Sequence, residues 1–230
     1  MQSSESVIDP ALLRRRGFVS HLAAAGAAFA ALWVPRDARA QRRGTSGDER
    51  GRGGERPLVR HEQDAWLDAL TGVHRQVYDI VSPTGVIGIA FARNFLTANN
   101  EGYGLADKDI SVVVSLRHTA IAYAFGDPLW ERRGLGDAFE IQDPAAHTPL
   151  ARNPQAQTIV GLHKRGVVFT VCGMALRRHA SEAAQRAGSD VEAMREEWRA
   201  GLLAGVVEVA AGVIAVNRAQ ERGFSYVYAG

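Results

Sequence analysis

The chain predicts an α/β fold: a single doubly wound, mostly parallel sheet of about five strands, flavodoxin-like, with helices on both faces. Three observations carry this expectation. "ISVVVSL" (110–116) is a continuous β-branched run, the pattern of a strand buried on both faces. "VVFTVC" (167–172) repeats that pattern and passes directly into a helix-forming stretch. Strand-like and helix-like segments then alternate to the end of the chain, which implies parallel pairing through crossover helices. With 230 residues, 46% of them hydrophobic, there is enough apolar material for one such core.

Each element has its own signal. "DAWLDALTGVHRQVYDI" (64–80) places Trp66, Leu67, Leu70, Val73, Val77 and Tyr78 at a spacing that predicts a short amphipathic helix running into an irregular segment. "GVIGIAF" (85–91) is a compact apolar run and predicts the first strand, followed by a helix over 93–104 that ends at its Asn-Asn/Gly cluster. After the 110–116 strand, "HTAIAYAFGDPLW" (118–130) is helix-like as far as Gly126-Asp127-Pro128. Asp-Pro, Thr-Pro and Asn-Pro steps make 134–154 an irregular loop. "QAQTIVGLHKRG" (155–166) predicts a helix closed by Gly166. Two helices follow the 167–172 strand, over 173–188 and 190–203. Residues 206–223 begin as a short strand and become a helix, and "FSYVYA" (224–229) is the last strand.

The N-terminus predicts an address rather than a fold. Arg14–Arg16 form a basic region, Val19 to Val34 an alanine-rich apolar stretch, and "ARA" (38–40) sets small residues where signal peptidase cuts. The string Arg15-Arg16-Gly17-Phe18 resembles the twin-arginine translocation motif, so residues 1–40 read as a signal for export to the periplasm. The apolar stretch is too short and interrupted for a stable membrane span. "QRRGTSGDERGRGGERP" (41–57) is glycine-rich and charged and cannot bury enough surface to order itself. The division is therefore signal 1–40, disordered linker 41–62 and folded domain 63–230.

The formal net charge of +2 comes from five arginines against three acids in residues 1–40, and the remainder is neutral. No basic stripe interleaved with aromatics follows, which argues against nucleic-acid binding. Glycine-rich nucleotide loops, HExxH, paired cysteines and G-x-S-x-G elbows are all missing, so neither a metal nor a cofactor is expected.

What remains is one thiol, histidines and polar groups at strand ends, where ligands of doubly wound sheets bind. Cys172 ends a strand just before a helix, whose N-terminal N–H groups and dipole favour an anionic sulfur. It is either a reactive nucleophile or the last buried residue of the strand. His118 opens a helix after the 110–116 strand and serves as a base or charge partner for Cys172, or simply as a cap. Arg93 and Asn94 after the 85–91 strand, Arg117 beside His118, and Gly173 after Cys172 are candidate ligand-binding residues.

Val171-Cys172-Gly173, then Val209-Ala210-Ala211-Gly212-Val213, then Gln220-Glu221-Arg222-Gly223-Phe224-Ser225-Tyr226 form an ordered set. The set resembles the DsrE/DsrF-like sulfur-relay family, and the first two strand–helix units extend the likeness over most of residues 74–230. The resemblance implies a small α/β domain that assembles into homotrimers or hexamers. It further implies a persulfide on Cys172, received from and passed to a donor or acceptor protein. The alternatives are a non-catalytic oligomeric binding or assembly module with Cys172 in the core, and a small hydrolase or isomerase using His118.

Overall fold

The computed structural model describes residues 61–230. The signal and linker expected over 1–40 and 41–62 lie, apart from His61 and Glu62, outside the described residues. From there the chain runs α1 (Ala65–Asp68), β1 (His74–Ile80), α2 (Ile87–Tyr103), β2 (Ile110–Leu116), a 3-10 segment (His118–Ala124), α3 (Asp127–Arg133) and α4 (Leu135–Ala138). It continues through α5 (Ala156–Lys164), β3 (Val168–Cys172), α6 (Gly173–Ala187), α7 (Val191–Ala200), β4 (Val206–Val209), α8 (Gly212–Glu221) and β5 (Ser225–Ala229).

The five strands form one sheet in the order β4-β3-β2-β1-β5, and every neighbouring pair is parallel. The predicted α/β class, one doubly wound sheet covered by helices on both faces, is the observed one. Side chains of the central strands alternate between two cores. Tyr78, Ile80, Val112, Val114, Leu116, Phe169 and Val171 pack on one face with residues of α2, α5, α6 and α7. Val77 and Val113 pack on the other with Leu67 of α1 and Val216 and Ala219 of α8. All seven residues of β2 are buried, which is why its sequence carries no charge and does not alternate between apolar and exposed polar residues.

Two of the differences from the expectation share one cause. The run "GVIGIAF" is not a strand: Gly85 and Val86 close a 3-10 turn and Ile87 starts α2. Ile89, Ala92 and Leu96 face the core while Ile87 and Phe91 are exposed, a helical period that a seven-residue window is too short to reveal. Gly88 lets α2 lie directly on Ile80 and Ala229, where a β-carbon would come within 2.9 Å of both side chains. The first strand is instead "HRQVYDI", the back half of the segment expected to be a short helix running into irregular chain, with only one helical turn before it. It is a strand because β2 and β5 hydrogen-bond to it on either side. The stretch expected as a helix from 118 as far as Gly126-Asp127-Pro128 is a 3-10 segment, and α3 begins at Asp127.

The winding sets the position of the site. From β1 through β4 each step moves one place in the same direction, and the helices of these connections cover one face. After β4 the chain turns to the other face, crosses as α8 and adds β5 beyond β1. The outgoing connections of the neighbours β3 and β4 therefore part to opposite faces, and their carboxyl ends open a crevice of the kind that holds ligands in doubly wound sheets.

Candidate functional site

Cys172 sits at this crevice. It is the last residue of β3 and the N-cap of α6, and its Sγ accepts a hydrogen bond from the Ala175 backbone N–H at 3.5 Å. Its position as cap follows from the chain: β3 ends where Gly173 begins fifteen helical residues. The residue is 8% exposed, so the thiol is nearly covered but lines the crevice with Arg117, His118, Met174, Arg178 and Gly212.

Gly173 does not line the crevice. A side chain there would meet the Val209 carbonyl oxygen at 2.7 Å and Glu208 Oε1 at 2.9 Å, so its absence lets the β3–α6 turn press against β4. Gly212, the first residue of α8, has the corresponding role on the other wall. A β-carbon at 212 would stand 2.7 Å from Cβ and 3.1 Å from Cδ of Arg117, and 3.3 Å from Cβ of Cys172. Arg117 and Cys172 are thus brought side by side at the ends of β2 and β3, with the start of α8 laid over both.

Arg117 continues the line of β2, its N–H donating to the Ile80 carbonyl at 3.0 Å. Its guanidinium forks onto Asp79, with Nε donating to Oδ1 at 2.6 Å and Nη2 to Oδ2 at 2.8 Å. The Tyr226 hydroxyl of β5 donates to the same Oδ2 at 2.9 Å. Asp79 is 2% exposed. The hydrogen bonds to Asp79 hold Arg117 above its ordinary value, against the opposing effect of burial. Burial, with the Asp79 carboxylate alongside, pushes the Tyr226 hydroxyl up.

His118 is exposed and takes a left-handed backbone with φ 54, an unusual conformation for a side-chain-bearing residue, where the chain leaves β2. Its hydrogen-bond partner is Arg178, whose Nη2 lies 3.5 Å from His118 Nδ1 and 2.8 Å from His179 Nε2. The imidazole therefore shares the crevice with Cys172 without a hydrogen bond to the sulfur, and a base role lacks the contact that nucleophile activation uses. Arg93 and Asn94 are exposed residues in the middle of α2, not at a strand end. The expectation that they bind a ligand beside Cys172 fell with the misassigned strand; Val81 and Ser82 follow the true first strand.

Several residues of the site, Arg178, Gly212, Asp79 and Tyr226 among them, were not singled out from the sequence. Arg178 had a legible signal, because it lies four residues after Met174 on a predicted helix and so shares its face. Gly212 was visible as part of a motif but not as a contact. Asp79 was hidden in a segment expected to be a short helix running into irregular chain, and Tyr226 reaches it across 147 residues of chain. Among the described residues, no group of three or more His, Cys, Asp or Glu side chains is placed to hold a metal ion.

Neither a family model nor a curated protein matches the chain. Among solved structures it is similar to a protein of unknown function, MTH1491 from Methanobacterium thermoautotrophicum, at 18% identity and a TM-score of 0.39. That likeness covers 67% of this chain and 98% of the other.

Proposed function

We propose that this protein is an exported, DsrE-like sulfur carrier that takes up sulfane sulfur as a persulfide on Cys172. The observation that carries the reading is the position of the chain's one thiol, at the crevice where β3 and β4 part and on the N-cap of α6. In the proposed step the Cys172 thiolate attacks the outer sulfur of a persulfide donor. An Sγ–S bond forms, the donor's S–S bond breaks, and its electron pair leaves on the donor as a thiolate. An acceptor thiolate reverses the step and removes the sulfur.

Export by the twin-arginine route rests on Arg15-Arg16-Gly17-Phe18 and on Ala38-Arg39-Ala40. Among the described residues no helix is long and apolar enough to cross a membrane. Assembly into a homotrimer or hexamer belongs to the same reading. β5 lies at one edge of the sheet formed by the described residues, a position that supports self-association by strand pairing.

A second reading has its own observation. Cys172 is 8% exposed and packs within the larger core, as a structural cysteine of a binding or assembly module would. Intact mass after brief exposure to polysulfide, with and without reductant, separates the two. A reductant-sensitive gain of sulfur in the native protein, absent in Cys172→Ser, is expected. No gain, with a thiol alkylated only in denaturant, would leave the module reading.

A further inference from the structure

Sulfur transfer through Cys172 makes no use of Asp79, yet Asp79 is the least exposed charged side chain among the described residues. It is 2% exposed, and its two oxygens accept three hydrogen bonds, two from Arg117 and one from Tyr226. The three residues come from β1, the end of β2 and β5, so the arrangement exists only once the sheet is assembled. A forked pair of this kind fixes the plane of the guanidinium as well as its position. Tyr226 stops the carboxylate from turning, and the start of α8 at Gly212 closes down on the Arg117 stem. The fork occupies Nε and Nη2. Arg117 Nη1 has no hydrogen-bond partner among the described residues, and Arg117 lines the same crevice as Cys172. Arg178 and His118 line that crevice as well.

We propose that Asp79 and Tyr226 are positioning residues that hold Arg117 as a fixed anion receptor beside Cys172. The crevice then takes a ligand that carries a small oxyanion head, a carboxylate, sulfonate or sulfate-like group, next to the atom that meets the thiol. The proposal deepens the sulfur-carrier reading and rests on it for the role of Cys172 as the reacting atom. It names the charge class of the donor.

The test compares two alkylating reagents of similar size, iodoacetate and iodoacetamide, on native protein. Their rate ratio reports the charge beside the sulfur, whereas a change in access or stability moves both rates together. The wild-type ratio should exceed that of free N-acetylcysteine by about threefold or more, the scale of one partly solvated cation a few ångströms away. Arg117→Gln should bring the ratio down to the free-thiol value or below it, because the Asp79 carboxylate is then uncompensated. Arg117→Lys keeps the charge but cannot fork onto Asp79, so it should restore little of the preference. Tyr226→Phe, which leaves every charge in place, should give an intermediate ratio. A wild-type ratio equal to the free thiol overturns the proposal, as does a raised ratio that Arg117→Gln leaves unchanged. Full rescue by Arg117→Lys overturns the positioning role.

Where the native thiol reacts with neither reagent, the Arg117 Nε–H resonance is followed on titration with sodium sulfate against sodium chloride at equal ionic strength. A saturable shift with sulfate, weakened in Tyr226→Phe, is expected, and no shift overturns the proposal. Charge selectivity without polysulfide uptake would remove the sulfur-carrier reading and leave the anion site. Uptake without selectivity would do the reverse.

Discussion

Gly212 and Arg117 are in contact across the crevice, and the contact leaves no room for a side chain at 212. A β-carbon there would lie 2.7 Å from Cβ of Arg117, shorter than non-bonded carbons approach one another. The glycine is what allows α8 to begin directly above Arg117 and Cys172.

Gly212→Ala is therefore expected to destabilise the fold by about 1–3 kcal/mol, the usual cost of forcing a methyl group into a filled site. Urea denaturation measures it. Gly102→Ala is the matched control, since that helical glycine has nothing within 4 Å of a new β-carbon. It should be neutral or stabilising by up to about 1 kcal/mol. Equal effects at the two positions would mean that α8 does not sit where it is described.

The Asp79–Arg117 pair makes a prediction about stability that is separate from any ligand. Arg117→Met leaves a carboxylate that is 2% exposed with only the Tyr226 hydroxyl. A loss of about 3–5 kcal/mol is expected, as for other buried pairs broken on one side. The double variant Arg117→Met/Asp79→Leu removes both charges and should recover a large part of that loss. A double variant no more stable than the single one would show that the carboxylate is better solvated than its position implies.

Acid sensitivity should trace in part to His179. Its ring packs on Phe139 with centroids 4.9 Å apart. Arg178 donates to its Nε2, and Glu182 Oε2 lies 3.2 Å from its Nδ1. Burial first, and then the Arg178 and His118 charges, hold the imidazole below its ordinary value despite the opposing pull of Glu182. A histidine depressed in the folded state contributes stability that is fully present above its unfolded value of about 6.5 and is lost as pH falls through the lower folded value. The melting temperature should drop between about pH 7.5 and pH 5, and His179→Gln should drop less over the same range. An identical slope in the variant would place the sensitivity elsewhere.

Ser115 and Thr170 are directly opposite each other on β2 and β3, and both are fully buried. Neither hydroxyl has a hydrogen-bond partner among the described residues. Removing an unpaired buried hydroxyl while keeping the shape should not weaken a fold, because the group's desolvation is uncompensated. Thr170→Val is accordingly expected to match the wild type or to gain up to about 1–2 kcal/mol in urea denaturation. A clear loss would reveal a polar partner, such as an internal water, beneath α8.

The sequence by itself determined a good deal of this protein. The β2 run "ISVVVSL", the β3 run ending in Cys172, the helices around 156–164, 173–187 and 191–200, and the final strand could all be read from local pattern. Each has a composition or period that its own neighbours in the chain dictate. For that reason Cys172 could be placed at a strand–helix junction, and Arg117 and His118 at a strand end, before any contact was known. The tertiary structure decided what local pattern leaves ambiguous. "HRQVYDI" and "GVIGIAF" are both only seven residues long, and only the strands flanking the first and the core beneath the second make one β1 and the other the start of α2. With that choice Asp79 moved onto the sheet and Arg93 and Asn94 moved off it. The meeting of Asp79, Arg117 and Tyr226 joins residues 38 and 147 positions apart, and the closure of Gly212 over Arg117 and Cys172 depends on α8 crossing to the opposite face. Contacts of that range arise from strand order and winding direction, which no window of sequence contains.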